Sequence, residues 1–128
     1  LKKGRISMYK INFEKPIHIH FIGIGGISMS GLAEILLEEG FTVSGSDSKE
    51  SPLTKKLESE GAIIHYGQRA ENISDGIDCV VYTAAINKAN PELMEAVARK
   101  IPMLTRAELL GMNLSANYPH KFNNFTGD

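Results

Sequence analysis

The stretch from Ile17 to Ala33, IHIHFIGIGGISMSGLA, restricts the possible folds more than any other part of the chain. An apolar run ends in a cluster of glycines, and a helical pattern of apolar residues begins directly after it. This order predicts a strand, a glycine-rich turn and a helix N-terminus. Free backbone N–H groups and the positive end of the helix dipole then face one point, where a phosphate group can bind. We therefore expect a phosphate-bearing ligand, most simply a nucleotide.

The glycine turn reads Gly23-x-Gly25-x-x-Ser28, with serine where dinucleotide-binding turns usually have a third glycine. The first glycine permits the tight turn, and the second lets phosphates approach the backbone. The third position needs a small side chain, so that the helix packs close to the strand. Serine satisfies that need, and its hydroxyl is free to cap the helix or contact a phosphate. Gly26 adds a second bare amide, and a purely structural turn is the alternative.

Strands and helices alternate at short intervals along the chain, which predicts a parallel sheet. We expect strands near residues 17–22, 41–47, 62–65, 77–82 and 102–104. Helices are expected from about residues 27, 51, 90 and 105, because glycines, prolines and capping residues mark their ends. The prediction is an α/β, Rossmann-like, doubly wound fold in a single domain, with a mostly parallel sheet of about five strands.

Apolar spacing also predicts which helix faces are buried. In the helix that begins after Ser51, we expect Leu53 and Leu57 to point inward. In the helix that begins after Asn90, the residues expected to point inward are Leu93, Met94, Val97 and Ala98.

Two further segments follow predicted strands at the edge where a ligand would bind. Asp47 lies about 20 residues after the glycine turn, at a position that commonly accepts hydrogen bonds from a ribose. Ser46 and Ser48 suit a polar pocket, although an Asx turn explains the same residues. The segment 83–86, TAAI, follows the buried strand, and its small residues leave room for a ring. A tight strand-to-helix connection explains that segment almost equally well.

Other reactive side chains have simpler explanations. His18 and His20 share one face of the first strand, but no third metal ligand is evident, so we expect partnered histidines and no metal site. Cys79 lies in an apolar run and is expected to be an inert core thiol. No Ser/His/Asp set and no pair of carboxylates has a spacing that indicates catalysis.

Composition narrows the classes of partner. The net charge is −1 with both signs interspersed, which predicts neither a nucleic-acid partner nor a membrane surface. One cysteine suits a reducing cytoplasm, where we expect the protein to be found. No G-x-x-x-x-G-K-S/T loop for ATP occurs in the sequence.

The run from His18 to Ala33 resembles the start of the Mur ligases. The resemblance covers roughly residues 16–111 and includes these further motifs: Gly45-Ser46-Asp47, Ser51-x-x-Thr54-x-x-Leu57, Gly67, Ala70-Glu71-Asn72, Ala84-Ala85-Ile86, Asn90-Pro91-Glu92 and Arg106-Ala107-Glu108-Leu109-Leu110-Gly111. It is greatest to the members that join L-alanine to UDP-N-acetylmuramic acid, while the ligase that recycles murein tripeptide differs in its glycine turn.

The resemblance implies a ligase of peptidoglycan synthesis that uses ATP and Mg²⁺, with a Rossmann-like N-terminal domain for the UDP end of UDP-N-acetylmuramic acid. This part would hold no cofactor and catalyse nothing without the remaining ligase domains. The diphosphate would contact Gly23, Ile24, Gly25, Gly26, Ile27, Ser28, Met29 and Ser30. The uridine would contact Ser46, Asp47 and Gln68, and the same pocket would include Thr83, Ala84, Ala85 and Ile86.

The sequence departs from the family pattern at Ser28, usually glycine, and at Gln68, often histidine. We expect an N-terminal extension over residues 1–15, the UDP-binding domain over 16–111, and a disordered or non-native tail over 112–128. Aromatic residues of that tail could instead pack on the domain, namely Tyr118, Phe122 and Phe125. The alternative function is an NAD-binding module of an oxidoreductase or redox sensor, since the glycine turn and Asp47 fit NAD equally well.

Overall fold

A computed structural model describes residues 9–112, 114 and 118 of the chain. The strands are β1 (His18–Ile22), β2 (Thr42–Asp47), β3 (Ile63–Tyr66), β4 (Cys79–Tyr82) and β5 (Met103–Thr105). The helices are α1 (Ile27–Glu38), α2 (Pro52–Ser59), α3 (Pro91–Ala98) and α4 (Arg106–Leu110), and Ala70–Asn72 forms a 3-10 turn.

All five strands lie in one sheet, in the order β3-β2-β1-β4-β5, and every neighbouring pair is parallel. The chain first proceeds from β1 towards one edge and then returns to the other side of β1. The direction therefore reverses between β1 and β4, and ligands of such sheets bind beyond the strand ends at that point. This arrangement confirms the doubly wound α/β fold, and the sheet is parallel throughout.

Helices cover both faces of the sheet. Apolar residues of α1, α2 and α4 pack on one face in the larger core, around the fully buried Phe21 and Leu36. The smaller core on the other face contains Val80 of β4 and Leu93 of α3. None of the helices in the described part of the chain is both long and apolar enough to cross a bilayer.

Residues on either side of the predicted 16–111 domain also contact the larger core. Ile11 is buried there, and so are Leu114 and Tyr118. The Tyr118 ring meets Phe13 edge-on, with ring centroids 5.9 Å apart. Packing of a tail aromatic on the domain is therefore confirmed at Tyr118. The other two tail aromatics, Phe122 and Phe125, lie outside the described residues.

The buried face of α3 differs from the prediction. Leu93 is buried as expected, but Met94 and Val97 are 56% and 57% exposed, and Ala98 is exposed as well. The helix instead turns the charged residue Glu92 into the protein, where it is completely buried. Polar contacts of Glu92, described below, thus set the rotation of α3 and override the apolar spacing.

The predicted inward face of α2 is half correct. Leu57 is 2% exposed, whereas Leu53 is 37% exposed. The second buried residue of this helix is Thr54, whose side chain completes a capping box with Ser51. The first turn of α2 therefore buries a cap and leaves its leucine at the surface.

Gly45 lets the glycine turn pack against β2. A Cβ atom at this position would lie 2.6 Å from Ile24 Cδ1 and 2.8 Å from the Phe21 carbonyl oxygen. Ile24 itself is completely buried, so the turn cannot move outward without exposing it. Only glycine at position 45 leaves room for this contact.

We predict that Gly45→Ala lowers the free energy of unfolding by about 3 kcal/mol, because the added methyl meets the backbone and a buried side chain. Gly76→Ala is the matched control, since its Cβ would have no neighbour closer than 3.9 Å. Urea denaturation of both variants measures the difference. Equal stability of the two variants would show that the Ile24 packing is not tight.

Candidate functional site

The end of β2 holds the glycine turn in place. The backbone N–H groups of Gly23 and Ile24 both donate to the Ser46 carbonyl oxygen, at 2.8 and 2.9 Å. The Gly25 N–H donates to Asp47 Oδ2 at 2.8 Å. Two neighbouring residues of β2 therefore fix the turn at the point where the sheet reverses direction.

Two glycines are required by this geometry. Gly23 has a φ of +82°, in the left-handed region that favours glycine. A Cβ on Gly25 would lie 2.7 Å from Asp47 Oδ2. The tight turn expected at Gly23 is present, whereas the group that approaches Gly25 closely in this structure is the Asp47 carboxylate.

The N-terminus of α1 has no cap. Its N-cap residue is Gly26, no side chain of the described residues accepts from the amides of the first turn, and that turn contains no acidic residue. The amides of Ile27, Ser28 and Met29 have no hydrogen-bond partner among the described residues. By contrast, side chains cap the other three helices: Ser51 for α2, Asn90 for α3 and Thr105 for α4. Free amides at the positive end of a helix dipole form a site for an anion.

Around this turn, several residues could contact a ligand only through the backbone. The side chains of Ile24, Met29 and Ser30 are buried, and Ser30 Oγ donates to the Ile27 carbonyl oxygen. Ile27 itself is 83% exposed, which places a large apolar side chain beside the free amides. Ser28 is partly buried, and its side chain faces α4.

Asp47 and Ser46 differ in accessibility. The Asp47 carboxylate accepts from the Gly25 and Ser48 amides, one on each oxygen. Each oxygen retains an acceptor position, because a carboxylate accepts about four hydrogen bonds. The Ser46 side chain has no exposed surface, and its hydroxyl donates to Glu92 Oε1 at 2.8 Å. Ser46 therefore affects the site through its carbonyl oxygen, which accepts from the Gly23 and Ile24 amides.

Gln68 and the segment 83–86 lie beyond the carboxyl ends of β3 and β4. The Gln68 side-chain oxygen accepts from Asn90 Nδ2 at 2.6 Å, which leaves its amide N–H groups available to a ligand. Ala84 and Ala85 are exposed, in a turn closed by the Ile86 amide and the Thr83 carbonyl oxygen. A cavity of about 580 Å³ lies between α3 and β5, and Ala84 and Ile86 form part of its wall.

Glu92 of α3 connects the strands and loops around this site, although the residue pattern did not predict it as a core residue. Its carboxylate accepts from His20 Nε2 at 2.8 Å, from Ser46 Oγ at 2.8 Å and from Asn72 Nδ2 at 2.6 Å. The Arg69 amide adds a longer bond of 3.3 Å. One buried anion thus connects β1, β2, the segment after β3 and α3.

Opposing effects act on the pKa of Glu92. Burial alone would raise it, but hydrogen bonds from His20, Asn72 and Ser46 outweigh burial and leave the pKa below its ordinary value. Glu92 is therefore ionised at neutral pH. Its folded-state pKa is lower than that of the unfolded chain, so the carboxylate stabilises the fold above the unfolded pKa.

Ser44, His20 and Glu92 are connected like a hydrolytic triad, but their burial excludes that role. Ser44 Oγ lies 2.9 Å from His20 Nδ1 and 2.8 Å from His18 Nε2, and Ser44 is only 3% exposed. No substrate can reach this hydroxyl in the folded protein. Both histidines are partnered, as expected, and the described residues contain no group of three or more metal-ligating side chains.

Cys79 also fits its expected role. The thiol is buried, and burial raises its pKa to about 12. At neutral pH it is protonated and a poor nucleophile.

Arg106 lies next to the glycine turn, although the sequence pattern did not single it out as a candidate site residue. It begins α4, and its Nη1 donates to Ser28 Oγ at 3.3 Å. The two residues are 78 positions apart, so no local spacing relates them. The contact brings a guanidinium group to the first turn of α1.

Comparison with known proteins identifies the family. The family model described as "Mur ligase family, catalytic domain" matches residues 18–118. This chain belongs to the Mur ligase family. The match includes the glycine turn, the Glu92 contacts and Arg106, and it continues to Tyr118.

A relative of this Mur ligase chain is named UDP-N-acetylmuramate--L-alanine ligase, from Agathobacter rectalis. It is 70% identical over 113 residues, which are 88% of this chain and 24% of the relative. The chain thus spans about a quarter of that relative's length.

Solved structures agree on the fold of the Mur ligase chain. The UDP-N-acetylmuramate-alanine ligase of Thermotoga maritima superposes with a TM-score of 0.74 at 33% identity, over 80% of this chain and 24% of that one. The UDP-N-acetylmuramate:L-alanyl-gamma-D-glutamyl-meso-diaminopimelate ligase of Neisseria meningitides gives 0.72 at 31% identity, over 80% and 32%.

For this Mur ligase chain, we predict that Glu92→Gln lowers the free energy of unfolding at pH 7 by about 3 kcal/mol, because an amide NH2 in place of either carboxylate oxygen would face buried hydrogen-bond donors. The difference in free energy of unfolding between variant and parent should become smaller as pH falls below about 4.5. Protonation of Glu92 then removes the same stabilisation from the parent.

Urea denaturation at several pH values measures this effect. Glu95→Gln is the matched control, since Glu95 lies on the same helix in a surface ion pair with Arg99. This change should lower the free energy of unfolding by less than about 1 kcal/mol. If the difference for Glu92→Gln stays constant from pH 7 to pH 3, the carboxylate is not the stabilising group.

Proposed function

We propose that this chain holds the UDP end of UDP-N-acetylmuramic acid within a UDP-N-acetylmuramate–L-alanine ligase. The observation that carries the proposal is the relative of that name, 70% identical over 88% of this chain. The uncapped α1 N-terminus supports it from the structure, because it provides an anion site at the edge where ligands of this fold bind.

The diphosphate would lie against the first turn of α1. The free amides of Ile27, Ser28 and Met29 are the donors for its oxygens, and the bare backbone from Gly23 to Gly26 allows close approach. Ile24, Met29 and Ser30 would contribute backbone only, since their side chains are buried. The exposed Ile27 side chain would cover one side of the ligand.

The uridine would lie towards β2 and β3. Asp47 would accept hydrogen bonds from the ribose hydroxyls, while it continues to hold the Gly25 amide. The free amide N–H groups of Gln68 would donate to a uracil carbonyl oxygen, and Asn90 holds that side chain in place. Ser46 would act indirectly, through its bonds to the turn.

The segment 83–86 would form the wall of the pocket on the β4 side. Ala84 and Ala85 are exposed and small, so they leave room for a ring near the strand ends. Thr83 and Ile86 set the shape of this turn through the hydrogen bond that closes it.

ATP and Mg²⁺ would serve the complete enzyme of peptidoglycan synthesis, in the cytoplasm, and would bind outside the residues described here. The present chain does not fit them. Its sequence contains no G-x-x-x-x-G-K-S/T loop, and its described residues form no cluster of metal ligands. We accordingly assign substrate binding to residues 16–111 and the bond-forming chemistry to the remaining ligase domains.

We predict that the chain binds UDP-N-acetylmuramic acid and UDP, and that Asp47→Asn weakens both about tenfold, because the ribose hydroxyls lose a charged acceptor. Isothermal titration calorimetry gives the dissociation constants. Asp75→Asn is the matched control, since that carboxylate is fully exposed beside α3. A folded chain that binds neither ligand at millimolar concentration contradicts the proposed function.

NAD distinguishes the alternative function in the same samples. Because a ligand that binds the folded state raises the melting temperature, UDP should stabilise the chain and NAD should not. Stabilisation by NAD alone would favour the oxidoreductase module over the ligase.

A further inference from the structure

Among the described residues, Arg106 has no carboxylate partner, and it lies at the edge of the proposed diphosphate site. In the part of the chain that the structure describes, no carboxylate oxygen lies within 4.0 Å of its guanidinium. Lys55, Lys56 and Arg99, all at the surface, each have such a partner. Arg106 is partly buried, so its charge is less well solvated than theirs.

Within the described part of the chain, the one side-chain hydrogen bond of Arg106 joins it to the first turn of α1, next to the glycine turn. A guanidinium carries five N–H donors in a planar fork, and among the described residues only Nη1 has an acceptor, Ser28 Oγ at 3.3 Å. Ser28 is the second residue of α1, and its backbone amide is one of the three free donors of that turn. Guanidinium and helix amides therefore converge on one small region.

Ser28 itself occupies the position where dinucleotide-binding turns usually have glycine. The third position must be small because the helix packs close to the strand. In this structure, Ser28 Oγ accepts a hydrogen bond from Arg106 Nη1, at the start of α4. The hydroxyl that replaces the usual glycine therefore has a specific partner.

We propose that Arg106 binds the diphosphate of the nucleotide ligand and that Ser28 positions its guanidinium for this contact. The inference rests on the proposed function and adds the side chain that selects a nucleoside diphosphate over a nucleoside. Arg106 contacts the ligand directly and neutralises part of its charge. Ser28 acts through Arg106.

The test compares UDP with uridine by isothermal titration calorimetry. Arg106→Ala should weaken UDP binding about 10- to 100-fold, because a charge-assisted contact to phosphate is lost, and should leave the weaker uridine binding unchanged. Arg106→Gln provides a second variant that retains a donor for Ser28 without the charge. Arg99→Ala is the matched control, since Arg99 lies on the surface of α3.

A double-mutant cycle tests the role of Ser28. Ser28→Gly should weaken UDP binding about threefold in the parent and have no effect when Arg106 is already alanine. An equal effect in both backgrounds would mean that Ser28 contacts the ligand itself, which overturns its positioning role.

The outcomes separate the two proposals. If the parent binds UDP and both Arg106 variants retain that affinity, the role of Arg106 is wrong while the proposed function stands. If the folded parent binds neither UDP nor UDP-N-acetylmuramic acid, the proposed function fails and this inference fails with it. Equal losses for UDP and uridine would also overturn it, since Arg106 would then not recognise the phosphates.

Discussion

The buried carboxylate of Glu92 is the interaction on which the rest of this structure depends. An isolated charge in a protein interior is strongly unfavourable, so it must be surrounded by donors. Glu92 receives them from His20, Ser46, Asn72 and the Arg69 amide. These donors come from separate parts of the chain, and all must be in place at once for the charge to be accommodated.

Strand β2 connects the buried Glu92 carboxylate to the candidate ligand site. Ser46 donates its hydroxyl to Glu92, while its carbonyl oxygen accepts from Gly23 and Ile24. The next residue, Asp47, holds the Gly25 amide. The glycine turn is therefore attached to the same residues that satisfy the buried charge, and its position follows from the packing of α3 on the opposite face.

The sequence predicted the parts of this fold that depend on local rules. Alternating elements, the glycines at positions 23 and 25, and the cap at Ser51 each follow from backbone geometry within a few residues. The same patterns led to the Mur ligase resemblance, which the family comparison confirms. Asp47 could be selected because its distance from the turn is characteristic of this fold.

Polar contacts between residues distant in sequence could not be predicted from these local rules. The apolar spacing of α3 favoured burial of Met94 and Val97. The residues next to Glu92 in the sequence do not show that β1 and β2 supply hydrogen-bond donors to its carboxylate. The contact between Ser28 and Arg106 likewise joins residues from opposite ends of the domain. Such pairs become visible only when the sheet order brings distant segments together.

The uncapped start of α1 has a cost that the folded chain carries whenever its site is empty. A serine or aspartate at position 26 would have room, since the nearest atom to its Cβ would be the Gly23 carbonyl oxygen at 3.7 Å. Relative to glycine, such a cap typically adds roughly a few tenths of a kcal/mol of stability. The chain has glycine there instead, and a bound phosphate would do the work of the missing side chain. In this sense, the ligand itself would be the N-terminal cap of α1.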